Sequence, residues 1–202
     1  MKKKQLEMIL QDIPRFKRPK PELEQIITPA PIAADIVFIA YQHGGIRDKK
    51  IIDLGCGTGI FSVGAFITGA KKVIGIDIDK QAIKIAKKYA EKNNLDIKYQ
   101  VKDIDNVEEK CDTIIMNPPF GAQKTNRKAD RKFIEKAFEI GEKIYTLHLT
   151  ETIPFIELMI NSLKGEITFK KNYVFPIKKT YDFHTKKHVK YGVTFLIIDT
   201  NK

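Results

Sequence analysis

The tetrapeptide Asn117-Pro118-Pro119-Phe120 follows an apolar run, Cys111 to Met116, whose β-branched content and closing prolines are those of a buried strand. A polar amide therefore emerges at the carboxyl end of a strand, where open α/β sheets bind ligands. The chemistry this suits is attack by an amino group conjugated to a planar ring or carbonyl, a weak nucleophile because its lone pair is held in resonance. The Asn117 side-chain oxygen and the Pro118 carbonyl can each accept one N–H of such a group and draw the lone pair out of the plane. Proline fits this role because it fixes φ and brings no competing N–H. Phe120 offers a flat face for a stacked base, worth roughly 1–3 kcal/mol. A strand that merely ends in a proline turn reads the same in isolation, so the neighbouring motifs decide.

Those motifs lie upstream. Asp53-Leu54-Gly55-Cys56-Gly57-Thr58-Gly59 occupies a strand-to-helix turn, where glycines let the backbone approach a ligand closely. A dinucleotide fingerprint needs a third glycine at the sixth position, which here is Ile60, and so is excluded. Asp77 ends the next strand, beside Ile78, where a carboxylate accepts both hydroxyls of a ribose. Asp103 follows the third strand, placed for an exocyclic amine of an adenine, with Ile104 beside the ring. Asp53 is placed for the charged amino group of the ligand's other end.

The elements that must hold these groups alternate. An amphipathic helix over residues 2–13 leads into a basic, proline-broken connector and a second helix from about Pro31 to Gln42. Strands follow near residues 50–54, 73–77, 97–101, 112–116 and 143–149, separated by helical stretches near 60–68, 80–94 and 130–140. A helix over 153–163 and two longer β runs, 166–175 and 189–198, end the chain. This pattern predicts a doubly wound, Rossmann-like α/β fold: a seven-stranded, mostly parallel sheet with a C-terminal antiparallel hairpin. A short N-terminal helical segment precedes it, giving residues 1–30 as an extension and 31–202 as one domain.

The net charge of +11 is unevenly spread. Residues 1–20 carry +5, residues 121–132 carry +4 and residues 164–190 carry +6, leaving the remainder at −4. Three basic stretches that converge on one site form a footprint for a polyanion such as nucleic acid, with Lys124 and Arg127 in the stretch after Phe120. In the last, Phe183, His184, Lys186 and Lys187 interleave aromatic and basic groups, as a single-stranded RNA groove does. His184 and His188 share helical spacing, but no further ligand lies near them and no metal site is expected. His43 and His148 read as structural. No apolar run approaches the ~18 residues of a membrane span, and no secretory signal opens the chain; with Cys56 and Cys111 read as reduced thiols, a cytoplasmic location is expected.

The acid followed by GxGxG resembles motif I of the S-adenosylmethionine-dependent methyltransferases. With Leu23-Glu24-Gln25, Thr28-Pro29, GIDID, MNPPFG and the late Phe183-His184-x-Lys186-Lys187, nearly the whole chain resembles the methyltransferase-like protein five family. That resemblance implies methylation of N6 of an adenosine in small-subunit ribosomal RNA. It implies S-adenosylmethionine contacts from Gln25, Thr28, Gly55, Thr58, Ile60, Asp77 and Asp103, to which the reading of the motifs adds Asp53, Gly57, Gly59, Ile78, Ile104 and Asn117, and it implies a small zinc-binding activator protein as partner. Two positions depart from the family: Ile26 stands where an aromatic is frequent, and Thr58 where a second cysteine is. A glutamine methyltransferase acting on release factors is the main rival, although it generally carries tyrosine at position 120 and a larger substrate-binding domain. A DNA adenine-N6 methyltransferase, with its target-recognition insert, and a non-catalytic RNA-binding module are the others.

Overall fold

A computed structural model describes residues 1–16, 18–120, 129–178 and 188–202, with the backbone alone at residues 129, 176–178 and 188–190. Helices α1 (Lys3–Gln11) and α2 (Ala30–Gln42) precede the sheet. The chain then alternates β1 (Lys50–Leu54), α3 (Ile60–Ile67), β2 (Lys72–Asp77), α4 (Lys80–Lys92), β3 (Lys98–Val101) and β4 (Cys111–Met116). It continues through α5 (Ala129–Ile140), β5 (Gly141–Leu149), α6 (Ile153–Ser162), β6 (Glu166–Lys178) and β7 (His188–Asp199).

The seven strands form one sheet in the order β3-β2-β1-β4-β5-β7-β6. The first five run parallel; β7 is antiparallel to β5 on one side and to β6 on the other. This is the expected architecture, with β7 inserted between β5 and β6. The chain leaves β1 toward β2 and β3, then returns to place β4 on the other side of β1. The switch point therefore lies between the carboxyl ends of β1 and β4, where doubly wound sheets open a crevice. The Gly55–Gly59 turn and Asn117 both stand there.

The two-residue period of a strand sorts the core into two layers. Ile51, Val73, Ile115 and Tyr145 pack with α1, α2 and α3, whereas Ile52, Ile74, Ile114 and Ile144 pack with α5 and α6. Side chains on both faces are covered, which is why β1 and β4 read as continuous apolar runs. Leu6 and Leu10 of α1 are 1% exposed, and each contributes roughly 1.5–3 kcal/mol by burial. A carboxylate ties that layer together: Asp35 of α2 accepts from Lys3 of α1 at 2.8 Å and from Lys171 and Tyr173 of β6 at 2.7 and 2.6 Å. These three bonds hold its pKa near 2, against the opposing effect of burial.

Candidate active site

The floor of the site is the turn after β1. Gly55, Gly57 and Gly59 have φ of +70°, +56° and +93°, in the left-handed region that favours glycine. The amides of Gly55 and Cys56 bond to the Ile76 carbonyl at 2.8 and 3.0 Å, binding the turn to the end of β2. A side chain at Gly55 would press on the Phe133 ring, and one at Gly57 on Phe16. The turn thus holds its backbone open to the cleft and delivers the N-terminus of α3 beneath it.

Asp77 ends β2. Its Oδ2 accepts from the Gly57 amide and its Oδ1 from the Asp79 amide, both at 2.8 Å. Burial pushes its pKa up, against the two N–H groups that favour the carboxylate. Each oxygen retains a lone pair for a hydroxyl donor. Asp103, at the head of a short helical turn, accepts from the Asp105 amide at 3.0 Å and from Lys132 at 3.4 Å. The Asp105 N–H holds the Asp103 pKa below the usual carboxylate range, with Lys132 adding to it.

The roof is the N-terminal connector. Gln25 donates to Asp79 Oδ2 at 2.6 Å and accepts from the Lys20 amide at 2.9 Å; the Lys20 ammonium meets Asp79 Oδ1 at 2.8 Å. Burial alone favours the neutral Asp79, but Lys20 and Gln25 hold its pKa below normal. Between roof and floor lies a cleft of about 430 Å³ lined by Phe16, residues 22–28, the glycine turn, Asp77, Ile78, Asp103, Ile104, Asn117, Pro119, Lys132 and Phe133.

Asn117 shares the sheet face of Ile115, the face turned toward the roof. Its Nδ2 donates to the Ile26 carbonyl at 3.3 Å and to Thr28 Oγ1 at 3.2 Å. Its Oδ1 is buried and has no hydrogen-bond partner among the described residues. A buried carbonyl without a donor is costly, and an incoming N–H relieves that cost. The arrangement leaves an acceptor that suits an amine.

The cleft thus gathers Gln25, Thr28, Gly55, Gly57, Thr58, Ile60, Asp77, Ile78, Asp103, Ile104, Asn117 and Pro119 from the expected set. Gly59 shapes the turn from beneath rather than lining it, and Pro118 is likewise absent from the lining. Two further expected residues stand outside that lining. Asp53, expected beside a charged amino group, shares the face of Ile51 and is 1% exposed; its Oδ2 accepts from the Ser62 amide and hydroxyl of α3 at 2.8 and 2.5 Å. Strand alternation, not the motif, decides its direction. Phe120, expected to offer an open face, is 8% exposed, with its ring edge-on to Phe175 at 6.5 Å. Such aromatic pairs are worth about 0.5–1.5 kcal/mol beyond their burial, which favours the core position.

Sequence reasoning missed Phe16, Glu22, Lys132 and Phe133. Phe16 carried a usable signal as the sole aromatic of the proline-broken connector. The expected RNA contacts Lys124, Arg127, Phe183, His184, Lys186 and Lys187 lie outside the described residues. Among the described residues no three His, Cys, Asp or Glu side chains are grouped to hold a metal ion, and no helix is long and apolar enough to cross a membrane.

These groups fit S-adenosylmethionine. The positive-φ glycines leave room against the backbone, Asp77 can accept hydroxyls, Ile78 and Ile104 present apolar surface, and the cleft has the volume of a small-molecule site. Residues 37–144 match the family model of the methyltransferase small domain. The chain is 40% identical to the protein MJ0284 of Methanocaldococcus jannaschii, over 98% of this chain and 94% of that one. It is 33% identical to the rRNA N(6)-adenosine-methyltransferase METTL5 of Danio rerio, over 97% and 98%. The solved structure of PH1948 from Pyrococcus horikoshii superposes with a TM-score of 0.91 at 34% identity, covering 98% of each chain. The chain belongs to the methyltransferase small domain family, and its methyl donor is S-adenosylmethionine.

Proposed function

We propose that the chain methylates N6 of an adenosine in RNA, and that this RNA is small-subunit ribosomal RNA. The observation that carries the reading is the Asn117 amide, whose N–H groups are taken by Ile26 and Thr28 and whose carbonyl is left for an amine. When bound, S-adenosylmethionine supplies a methyl carbon already activated by a sulfonium, so the acceptor nitrogen forms the C–N bond as the C–S pair passes to sulfur, and its extra proton leaves to water. Asn117 Oδ1 and the Pro118 carbonyl accept the two N6–H bonds and turn the lone pair toward that carbon. Pro119 gives the base an apolar surface at the cleft wall. Such positioning, rather than a general base, supplies most of the acceleration.

The adenosine is unpaired or turned out of its helix to reach the cleft. The N-terminal stretch, with Lys124, Arg127, Phe183, His184, Lys186 and Lys187, grips the backbone and flanking bases, and residues 1–30 act as an extension of the catalytic domain. The full-length similarity to the Danio rerio enzyme supports ribosomal RNA as the substrate. A small zinc-binding activator is the proposed partner, on the motif resemblance alone.

Transfer of labelled methyl to total RNA, total DNA and protein, followed by nucleoside analysis, tests the proposal. N6-methyladenosine in small-subunit RNA is the expected product. Label in glutamine of a release factor, or in DNA adenine, would overturn it.

A further inference from the structure

We infer that the outer face of α4 is a track for the phosphate backbone of the RNA that flanks the target adenosine. The inference rests on RNA being the substrate, as proposed above. Ala82, Ile83, Ala86 and Ala90 turn one side of this helix into the core. The opposite side carries Lys80, Lys84, Lys87, Lys88 and Lys92, all exposed, at the helical spacing of a single face. Glu91 is the sole acid of the helix, so Lys80–Lys92 carries +4, which acids elsewhere hide in a count over the whole chain.

Other lysines are neutralised in pairs: Lys3 and Lys171 by Asp35, Lys20 by Asp79, and Lys170 by Glu157. Among the described residues, none of the five on α4 forms an ion pair. Lys80 and Lys84, Lys84 and Lys88, and Lys88 and Lys92 are like charges one turn apart, which destabilises a helix. A row that weakens its own helix and is left unpaired suits a ligand that brings the negative charge.

Its place in the fold ties the row to the cleft. Asp77 and Ile78 line the cleft, Asp79 caps α4, and Lys80 opens the helix, so the row starts at the rim. From Lys80 to Lys92 it is about 18 Å long, at 1.5 Å per residue. The basic connector is fastened to the same helix at both ends. The Tyr89 hydroxyl donates to the Ile9 carbonyl at 3.3 Å, and Lys20 meets Asp79 at 2.8 Å. Arg15 and Arg18, both exposed, stand between those ties. The fold thereby joins two basic stretches, remote in sequence, into one positive surface that ends at the cleft. Lysine is a point charge that meets phosphate without reading base edges, so the track leaves the choice of adenosine to the cleft.

The test removes three charges from the middle of the row, Lys84→Gln, Lys87→Gln and Lys88→Gln together. The control, Arg47→Gln, Lys49→Gln and Lys71→Gln, removes the same charge near the amino ends of β1 and β2. Binding of transcribed small-subunit ribosomal RNA to the full chain is measured from about 50 to 200 mM salt. The α4 variant is expected to bind roughly tenfold more weakly at the low end, and its slope of log affinity against log salt to flatten by about 2. Its KM for RNA should rise in step, while kcat at saturation and calorimetric affinity for S-adenosylhomocysteine hold, the sign of an intact fold. The control should stay near the wild type. Equal losses in the two variants would overturn the track, as would an α4 variant with the wild-type salt slope or one whose loss lies in cofactor affinity. RNA methylation that is indifferent to the α4 variant removes the track alone, whereas wild-type protein that neither binds nor methylates RNA removes the track and the proposed function together.

Discussion

Gln25 donates to Asp79 across 54 residues of chain, so the segment that roofs the cleft is fastened to the N-cap of α4. The Asp79 side chain is 4% exposed and the Lys20 partner 37% exposed, so the pair straddles the surface. Removing the ammonium leaves a nearly buried carboxylate short of one partner, which is costlier than losing a fully exposed pair. Lys20→Met, which keeps most of the aliphatic stem, is expected to weaken cofactor affinity roughly tenfold, with a smaller effect on turnover at saturating cofactor. Calorimetry with S-adenosylhomocysteine decides it: unchanged affinity would show that the roof is held elsewhere.

Asn117→Ala removes the acceptor oxygen while leaving the glycine turn and Asp77 untouched. By analogy with loss of one preorganised polar group at a reacting centre, turnover is expected to fall about 10²–10³-fold. Cofactor affinity should stay near the wild-type value. A variant with more than about half of the wild-type rate would remove Asn117 from the chemistry.

Two buried groups give stability opposite dependences on pH. Burial raises the Asp53 carboxyl to about 7, so above its ordinary range the folded protein holds a proton that the unfolded chain has released. Its favourable contribution is whole at low pH and is lost as pH rises through about 7, with a ceiling of about 4 kcal/mol. His148 runs the other way, because burial lowers it to about 3 and stability falls as pH drops below about 6.5. Asp53→Asn keeps an acceptor for Ser62 and removes the first dependence. Urea denaturation from about pH 5 to pH 9 should show the variant gaining on the wild type as pH rises. A constant difference would mean that Asp53 does not titrate in this window.

Gly59 has a φ of +93°, and a side chain there would sit 2.4 Å from the Tyr99 hydroxyl. Gly69 has a φ of +101° but opens onto free space. Gly69→Ala should therefore cost backbone strain alone, about 1–3 kcal/mol, and Gly59→Ala should cost more and disturb the cofactor turn. Equal midpoints in denaturant would show that Tyr99 moves aside freely.

The fold was legible because β1, β2 and β4 are apolar, short and separated by helical periods, a pattern that only a doubly wound sheet buries on both faces. The same patterning stops short of β6, which runs through Lys178 although Pro176 is a residue that normally demotes a strand; β6 is an edge strand, where a missing donor is tolerated. At the site, Asp77 and Asn117 were legible from their places at strand ends. Asp53 was misdirected because the motif records an acid before the glycines but not which face of β1 it occupies. Phe120 was misdirected because its partner Phe175 lies 55 positions away, beyond any local pattern. The roof had no period to read, since Pro14, Pro19 and Pro21 break its connector, and its function emerges only from pairings with Asp79 and Asn117. Charge counting had a similar limit: Lys3 and Lys171 are consumed by Asp35 and Lys20 by Asp79, so part of the basic footprint is internal mortar.

That the cleft's roof is made from residues before the sheet has a consequence for its birth on the ribosome. Residues 20–28 leave the exit tunnel before the sheet does and have nothing to grasp until Asp79 and then Asn117 follow, the latter 91 residues after Ile26. At roughly 5–20 residues per second that interval is on the order of 10 s. Asp79 can hold one end of the segment earlier, but its fastening to Asn117 waits out the whole interval, and the methyl donor's pocket closes only once most of the protein has been translated.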